Sequence, residues 1–188
     1  MGGGDFWFVP ESDPGMRYQY ITKTGFIEAN ELDIDGDISD WDPELDKLTL
    51  TQNDNTFDIQ FVLGDDGVYG YYKADLTSGL NLYTNNFDEW WINPNIEFWV
   101  NMDKHVRIMI FDGKLAPTGR VTEAAFTYDN ENHVLVIEFF IHYSSLGLTE
   151  KPTSATVRFG SPMYNGFWMI GNPDINTTFN DNGFSLGE

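Results

Sequence analysis

The 188-residue sequence has no cysteine, which excludes disulfides, thiolate metal sites and a thiol nucleophile. Basic residues are scarce, with 10 Lys and Arg against 30 Asp and Glu and a formal net charge of −20. A surface of that sign repels phosphate backbones and anionic membranes, so nucleic acid is a poor partner. No apolar run approaches the ~20 residues that a bilayer-spanning helix needs, so membrane insertion is not expected. Met1-Gly2-Gly3-Gly4 reads as an appended start rather than a secretion signal. Also missing are a long amphipathic stretch of helical period, a nucleophile elbow, a phosphate-binding glycine loop and a His-x-x-His zinc spacing.

What is present points to strands and turns. Aromatics make up 16% of the chain, beside 18 glycines and 8 prolines. A chain of this length forms one domain and buries roughly 70% of its unfolded surface. The expected class is all-β, an antiparallel β-sandwich with few or no helices. After Phe6-Trp7-Phe8 and the Asp13-Pro14-Gly15 turn, the alternation around Tyr18, Tyr20 and Thr22 predicts an edge-like strand. Phe57, Ile59, Phe61 and Leu63 alternate with Asp58 and Gln60, and Asp65-Asp66-Gly67 then returns the chain through Val68 to Lys73 as a hairpin. Residues 77–88 form a polar surface loop. Val121 to Tyr128 and Val134 to His142 make a further hairpin. Its core row is Leu135, Ile137, Phe139 and Ile141, while Glu138, Phe140 and His142 face away. A last pair of strands is expected around Ala155 to Phe159 and Phe167 to Ile170, with a loop-like tail from Asn172 to Gly183.

The densest chemical signal lies between Asp88 and Asn101, which holds three of the six tryptophans. Alternation sends Ile96, Phe98 and Val100 to the core and leaves Glu97, Trp99 and Asn101 on the other face. Matching that core row to Val106, Ile108 and Ile110 predicts residue 100 opposite 106 and residue 99 opposite 107. Arg107 then stands beside Trp99 and diagonal to Glu97. An indole, an anion and a cation on one face form either a solvated ion pair shielding an aromatic or a platform for a polar ligand such as a sugar. In the second case the ring covers the C–H face and the charged groups take the hydroxyls. Core packing and ligand contact both remain open for each tryptophan.

Elsewhere the acidic run Asp33 to Asp42 surrounds Gly36 with carboxylates. Its glycine is misplaced for an EF-hand, so an Asx-bonded turn and a calcium loop with Asp35 and Asp37 as ligands both stay open. Met102, Met109, His105, His133 and His142 provide haem-ligand types without a spacing that singles out a pair. Glu97 and Glu138 could be nominated as a glycosidase pair, but among thirty acidic residues such a nomination has almost no specificity.

Taken in order, these segments resemble the family 9 carbohydrate-binding modules and the wider DOMON-like β-sandwiches. Ile34-Asp35-Gly36 followed by Ser39-Asp40-Trp41 resembles the family's opening, and Phe57 to Asp75 its paired strands ending in aspartate. Trp91 followed by Asn95-Ile96-Glu97-Phe98-Trp99-Val100-Asn101 is similar to its tryptophan-then-glutamate block. Val136 to Gly147 is similar to its late strand and turn, with His142 where the pattern has proline and Asn95 where it often has aspartate. The resemblance covers residues 30–188 as the sandwich domain, with residues 1–29 as an extension whose strand packs on the same domain. It implies a non-catalytic module that holds an oligo- or polysaccharide between aromatic walls, with Trp91 as one wall, Glu97 as a hydrogen-bonding partner, and Trp168 or Tyr164 as the second wall. It also implies structural calcium, an extracellular or cell-surface setting and other domains in a parent protein. The alternative is a structural or adhesive sandwich module of a larger surface protein.

Overall fold

The computed structural model describes residues 19–21, 32–43, 48–52, 54–83, 93–100, 104–117, 119–150, 154–155, 157–159, 163–164, 167–168 and 184–185. In chain order the strands are β1 (Gln19–Ile21), β2 (Leu48–Gln52), β3 (Asn55–Leu63), β4 (Gly67–Asp75), β5 (Asn95–Val100), β6 (Lys104–Phe111), β7 (Lys114–Pro117), β8 (Glu123–Asp129) and β9 (Val134–His142). Five short ones follow: β10 (Ser154–Ala155), β11 (Val157–Phe159), β12 (Met163–Tyr164), β13 (Phe167–Trp168) and β14 (Phe184–Ser185). Helical structure among the described residues is limited to two 3-10 turns, Ile38–Asp40 and Tyr143–Leu146.

The strands form two main antiparallel sheets. One has five strands in the order β2-β3-β4-β9-β8. The other has seven, running β1-β11-β5-β12-β13, with β6 on the free side of β5 and β7 beyond it; β10 and β14 pair separately. Strand alternation explains how the two sheets meet. Phe57, Ile59, Phe61 and Leu63 of β3, with Leu135, Ile137, Phe139 and Ile141 of β9, share one buried cluster with Ile96, Val106, Ile108 and Ile110 of the seven-stranded sheet. Apolar rows from both inner faces thus close a β-sandwich. His142 ends β9 and caps the second 3-10 turn. Its N–H donates to Thr122 Oγ1 at 3.0 Å, which a proline could not do.

The five-stranded sheet is covered on its outer side as well. Val62, Tyr69, Tyr71 and Phe140 meet Leu32 and Trp41 in a second buried cluster. The expectation that Glu138 and Phe140 face away from the core holds for the sheet face but not for solvent exposure. Residues 32–43 lie across that face, leaving Glu138 fully buried and Phe140 9% exposed.

Four strands were not anticipated: β2 and β7, both short edge strands of mixed polarity, and the two-residue β12 and β14. The β5–β6 register also differs from expectation. Val100 pairs with Lys104, Phe98 with Val106 and Glu97 with Arg107, an offset of two residues that keeps every side chain on its expected face.

Gly70 lies in the core row of β4 directly opposite Phe139. The Phe139 ring occupies the space a side chain would fill, and a methyl group at residue 70 would overlap it. Gly70→Ala is therefore expected to destabilise by about 1–3 kcal/mol through overpacking. In a thermal melt that is a fall of roughly 2–12 °C for a chain of this size. An unchanged melting temperature would show that Phe139 has room to move.

Candidate functional site

The outer face of the seven-stranded sheet collects most of the aromatic and charged residues singled out from the sequence. Ile96 is buried in the sandwich, so alternation places Asn95, Glu97 and Trp99 on the outward face of β5. Val106, Ile108 and Ile110 fix β6 in the same way and place Arg107 and Met109 outward. Glu97 and Arg107 are direct cross-strand partners, and such pairs have Cβ atoms about 4.5–5.5 Å apart. Residue 107 is therefore directly opposite residue 97 in the register, where the sequence had suggested a diagonal.

The register then extends across β12 and β13. Met163 pairs with Asn95, and Trp168 pairs with Met163. Cross-strand partners share a face, so Trp168, Met163, Asn95 and Met109 form one row, next to the row of Glu97 and Arg107. Two strand spacings of ~4.8 Å put Trp168 about 10 Å across the sheet from Asn95. Tyr164 pairs with Phe167 and so belongs to the opposite face, which separates the two residues considered for a second aromatic wall. Trp91 lies outside the described residues.

Trp99 sits between His105 of β6 and Arg158 of β11, with Tyr20 of β1 beyond Arg158. From the sequence His105 was notable only as a haem-ligand type, Tyr20 only as a strand position, and Arg158 not at all. Their place depends on strands distant in sequence, so no local pattern could reveal it. Tyr83 was also missed. At 74% exposed it packs its ring beside Gly113 in the β6–β7 turn.

The entry into β5 is anchored from within. Asn95 is 2% exposed and Asn93 fully buried. Asn95 Nδ2 donates to the Asn93 carbonyl at 2.8 Å, Asn93 Nδ2 reaches Met109 Sδ at 3.5 Å, and Ile110 N–H donates to the Pro94 carbonyl at 2.8 Å. Burial gives a reason for asparagine at residue 95, because an aspartate there would place a charge out of water. These bonds fix the backbone from which the outward row begins.

The acidic loop has a different role. Glu138 Oε2 accepts from Gly36 N–H at 2.6 Å and Asp35 N–H at 3.2 Å, while Oε1 accepts from Trp41 Nε1 at 2.6 Å. Gly36 adopts φ 89° and packs against the backbone of Phe126, a conformation and a clearance that suit glycine. Its carbonyl accepts from Thr127 Oγ1 at 2.8 Å. The Ile34-Asp35-Gly36 and Asp40-Trp41 motifs are thus tied to the late strand by one carboxylate. Burial pushes the Glu138 carboxyl above its ordinary range, against the Trp41 and Gly36 donors, which favour the ionised form. Glu138 belongs to the five-stranded sheet and Glu97 to the seven-stranded one, so the nominated glycosidase pair does not face a common cleft.

Asp35 Oδ1 accepts from Asp37 N–H at 2.8 Å, and Asp37 Oδ1 accepts from Ser39 N–H at 3.0 Å as the cap of the first 3-10 turn. Among the described residues no group of three or more His, Asp or Glu gathers to hold a metal ion. Each of these two carboxylates thus caps a local Asx turn. Of the haem-ligand types, His133 and His142 do not converge. His133 precedes β9 and His142 ends it, which separates them by roughly 30 Å of extended strand.

No protein-family model and no curated protein matches the chain. Solved structures do match it. A family 9 carbohydrate-binding module from Caldicellulosiruptor kristjanssonii in complex with glucose is similar over 88% of this chain and 96% of that one, with a TM-score of 0.52 and 13% identity. A module of the same family and organism in complex with cellotriose is similar over 72% of this chain and 83% of that one, with a TM-score of 0.49 and 12% identity. The chain has the family 9 carbohydrate-binding-module fold, an all-β sandwich. No helix among the described residues is long and apolar enough to cross a membrane.

Proposed function

We propose that this protein is a non-catalytic carbohydrate-binding module whose saccharide lies on the outer face of the seven-stranded sheet. The observation that carries this reading is the β5–β6–β12–β13 register. It sets the Glu97–Arg107 pair one row from Trp168, with Trp99 on the same face. An indole covers the apolar face of a pyranose, and a carboxylate beside a guanidinium offers acceptors and donors to its hydroxyls. Support also comes from the fold, since a similar family 9 module binds glucose. Trp91, in the segment preceding the Asn93 to Asn95 anchor, is proposed as the opposing wall. A module of this kind acts outside the cell or at its surface, attached to other domains of a parent protein.

Binding without turnover is the expected behaviour. Calorimetric titration with gluco-, xylo-, manno- and galacto-oligosaccharides should give saturable heat for one class, and chromatography after prolonged incubation should show that sugar intact. A flat response from folded protein across the panel would transfer the reading to a structural or adhesive module.

A further inference from the structure

The opposite side of the sandwich carries a recess of about 180 Å³ on the outer face of the five-stranded sheet. It is lined by Ile38, Trp41, Asp42 and Pro43 from the covering segment, with Asp58, Gln60, Tyr71 and Lys73 from β3 and β4. Its floor is built by register, because Gln60 pairs with Tyr71 and Asp58 with Lys73 across the hairpin. The walls are held in place. Asp58 Oδ1 accepts from Thr49 Oγ1 at 2.6 Å, and Lys73 Nζ is 3.1 Å from Asp75. Trp41 meets Tyr71 edge to face at 4.8 Å while its indole N–H is bonded to Glu138. Burial pushes the Tyr71 hydroxyl up to about 12, so it stays protonated and able to donate at neutral pH.

The lining chemistry selects the class of ligand. Asp42 and Asp58 oppose an anion, and Lys73 opposes a cation. Lys73 and the Tyr71 hydroxyl are donors, the two carboxylates are acceptors, and the Gln60 amide is both. Ile38, Trp41 and Pro43 supply an apolar wall beside these polar groups. A neutral ligand with both apolar faces and hydroxyls that donate and accept is complementary to this set, and the recess exceeds the ~10–15 Å³ that a single water needs. We infer that this recess is a second saccharide site, taking one neutral pyranose unit on the sheet opposite the Glu97–Arg107 face. Two sites on opposite faces would let one module contact two chains or two segments of one chain.

The test uses the full chain carrying Trp168→Ala, titrated with glucose, xylose, mannose and galactose while backbone amide resonances are followed. Saturable shifts are expected at Gln60, Tyr71 and Lys73 for one of these sugars, with binding weakened about tenfold when Lys73→Ala is added, the effect of losing one charged hydrogen bond. Lys73 is 31% exposed, and the dispersion of the remaining β3 and β4 resonances reports that the variant is folded. Still resonances around the recess for all four sugars, shifts that never saturate, or shifts indifferent to Lys73→Ala would each overturn the second site. The same titration on the unsubstituted protein reads β5 and β6 separately, so a failure of the proposed principal face is seen independently of this one.

Discussion

Replacing Glu138 by alanine is expected to lower the melting temperature by roughly 6–20 °C or to prevent folding, the consequence of about 3–5 kcal/mol in a chain of this size. The residue is fully buried, and its carboxylate receives the N–H groups of Asp35 and Gly36 and the indole of Trp41. Alanine leaves those donors without an acceptor, and each buried unsatisfied group costs about 1–3 kcal/mol. The damage should be local at first. Residues 32–43 are held over Tyr69, Tyr71 and Phe140 by this anchor, so amide exchange in that segment should rise before exchange in β3, β4 or β9. A Glu138→Ala protein with unchanged melting temperature would show that the segment is held by its apolar contacts alone.

The same residue gives a dependence on pH with a defined sign. Its folded value lies above the ordinary 4.5, mainly because of burial. The folded protein then binds a proton more readily than the unfolded chain, and stability must fall as pH rises. The contribution is fully present below pH 4.5 and is lost as pH climbs through the raised value. Glu138→Gln removes this titration, so urea denaturation should show the stability of the wild type falling relative to that of the variant as pH rises through the raised value.

A second large effect is expected on binding rather than stability. Trp168→Ala should weaken saccharide affinity by about 30-fold or more, the loss of a hot-spot aromatic worth at least ~2 kcal/mol. Trp41→Phe should instead lower stability, because it removes the donor to Glu138 Oε1, while leaving binding at the Trp168 row intact. Glu97→Gln and Arg107→Ala should each weaken binding, and the double variant should lose less than the two added together. The pair is directly cross-strand, and groups that act on one ligand as a unit couple. Full additivity would argue that only one of them touches the sugar.

What the sequence could and could not disclose follows from the physics of each element. The period of two in β3, β4 and β9 exposed both partners of the sandwich, because apolar rows such as Phe57 to Leu63 face a continuous core. The same period fixed the faces of β5 and β6 but not their offset. Parity is set by burial and offset by the turn, here the three residues between Val100 and Lys104. Lys114 to Pro117 carries too little alternation to be read as an edge strand, whereas Leu48-Thr49-Leu50-Thr51 does alternate and is a strand signal that was missed because the run is only five residues long. For Glu138 alternation predicted the correct sheet face and could not report that a segment a hundred residues earlier covers it. Of the residues nominated for a ligand, Glu97, Trp99, Arg107 and Trp168 share one face by register, and Tyr164 falls on the other. Arg158 and Tyr20 join Trp99 only because β11 and β1 return to that sheet, a placement that no window of sequence contains.

The most direct measurement is a titration of protein labelled at the tryptophan indole nitrogens with the saturating oligosaccharide, assigned by single Trp→Phe substitutions. The indole resonances of Trp168 and Trp99 should move together along one binding curve, and any shift at Trp41 should follow a separate curve of its own. Shifts at Trp41 alone, with Trp99 and Trp168 still at saturation, would contradict the placement of the principal site on the seven-stranded sheet.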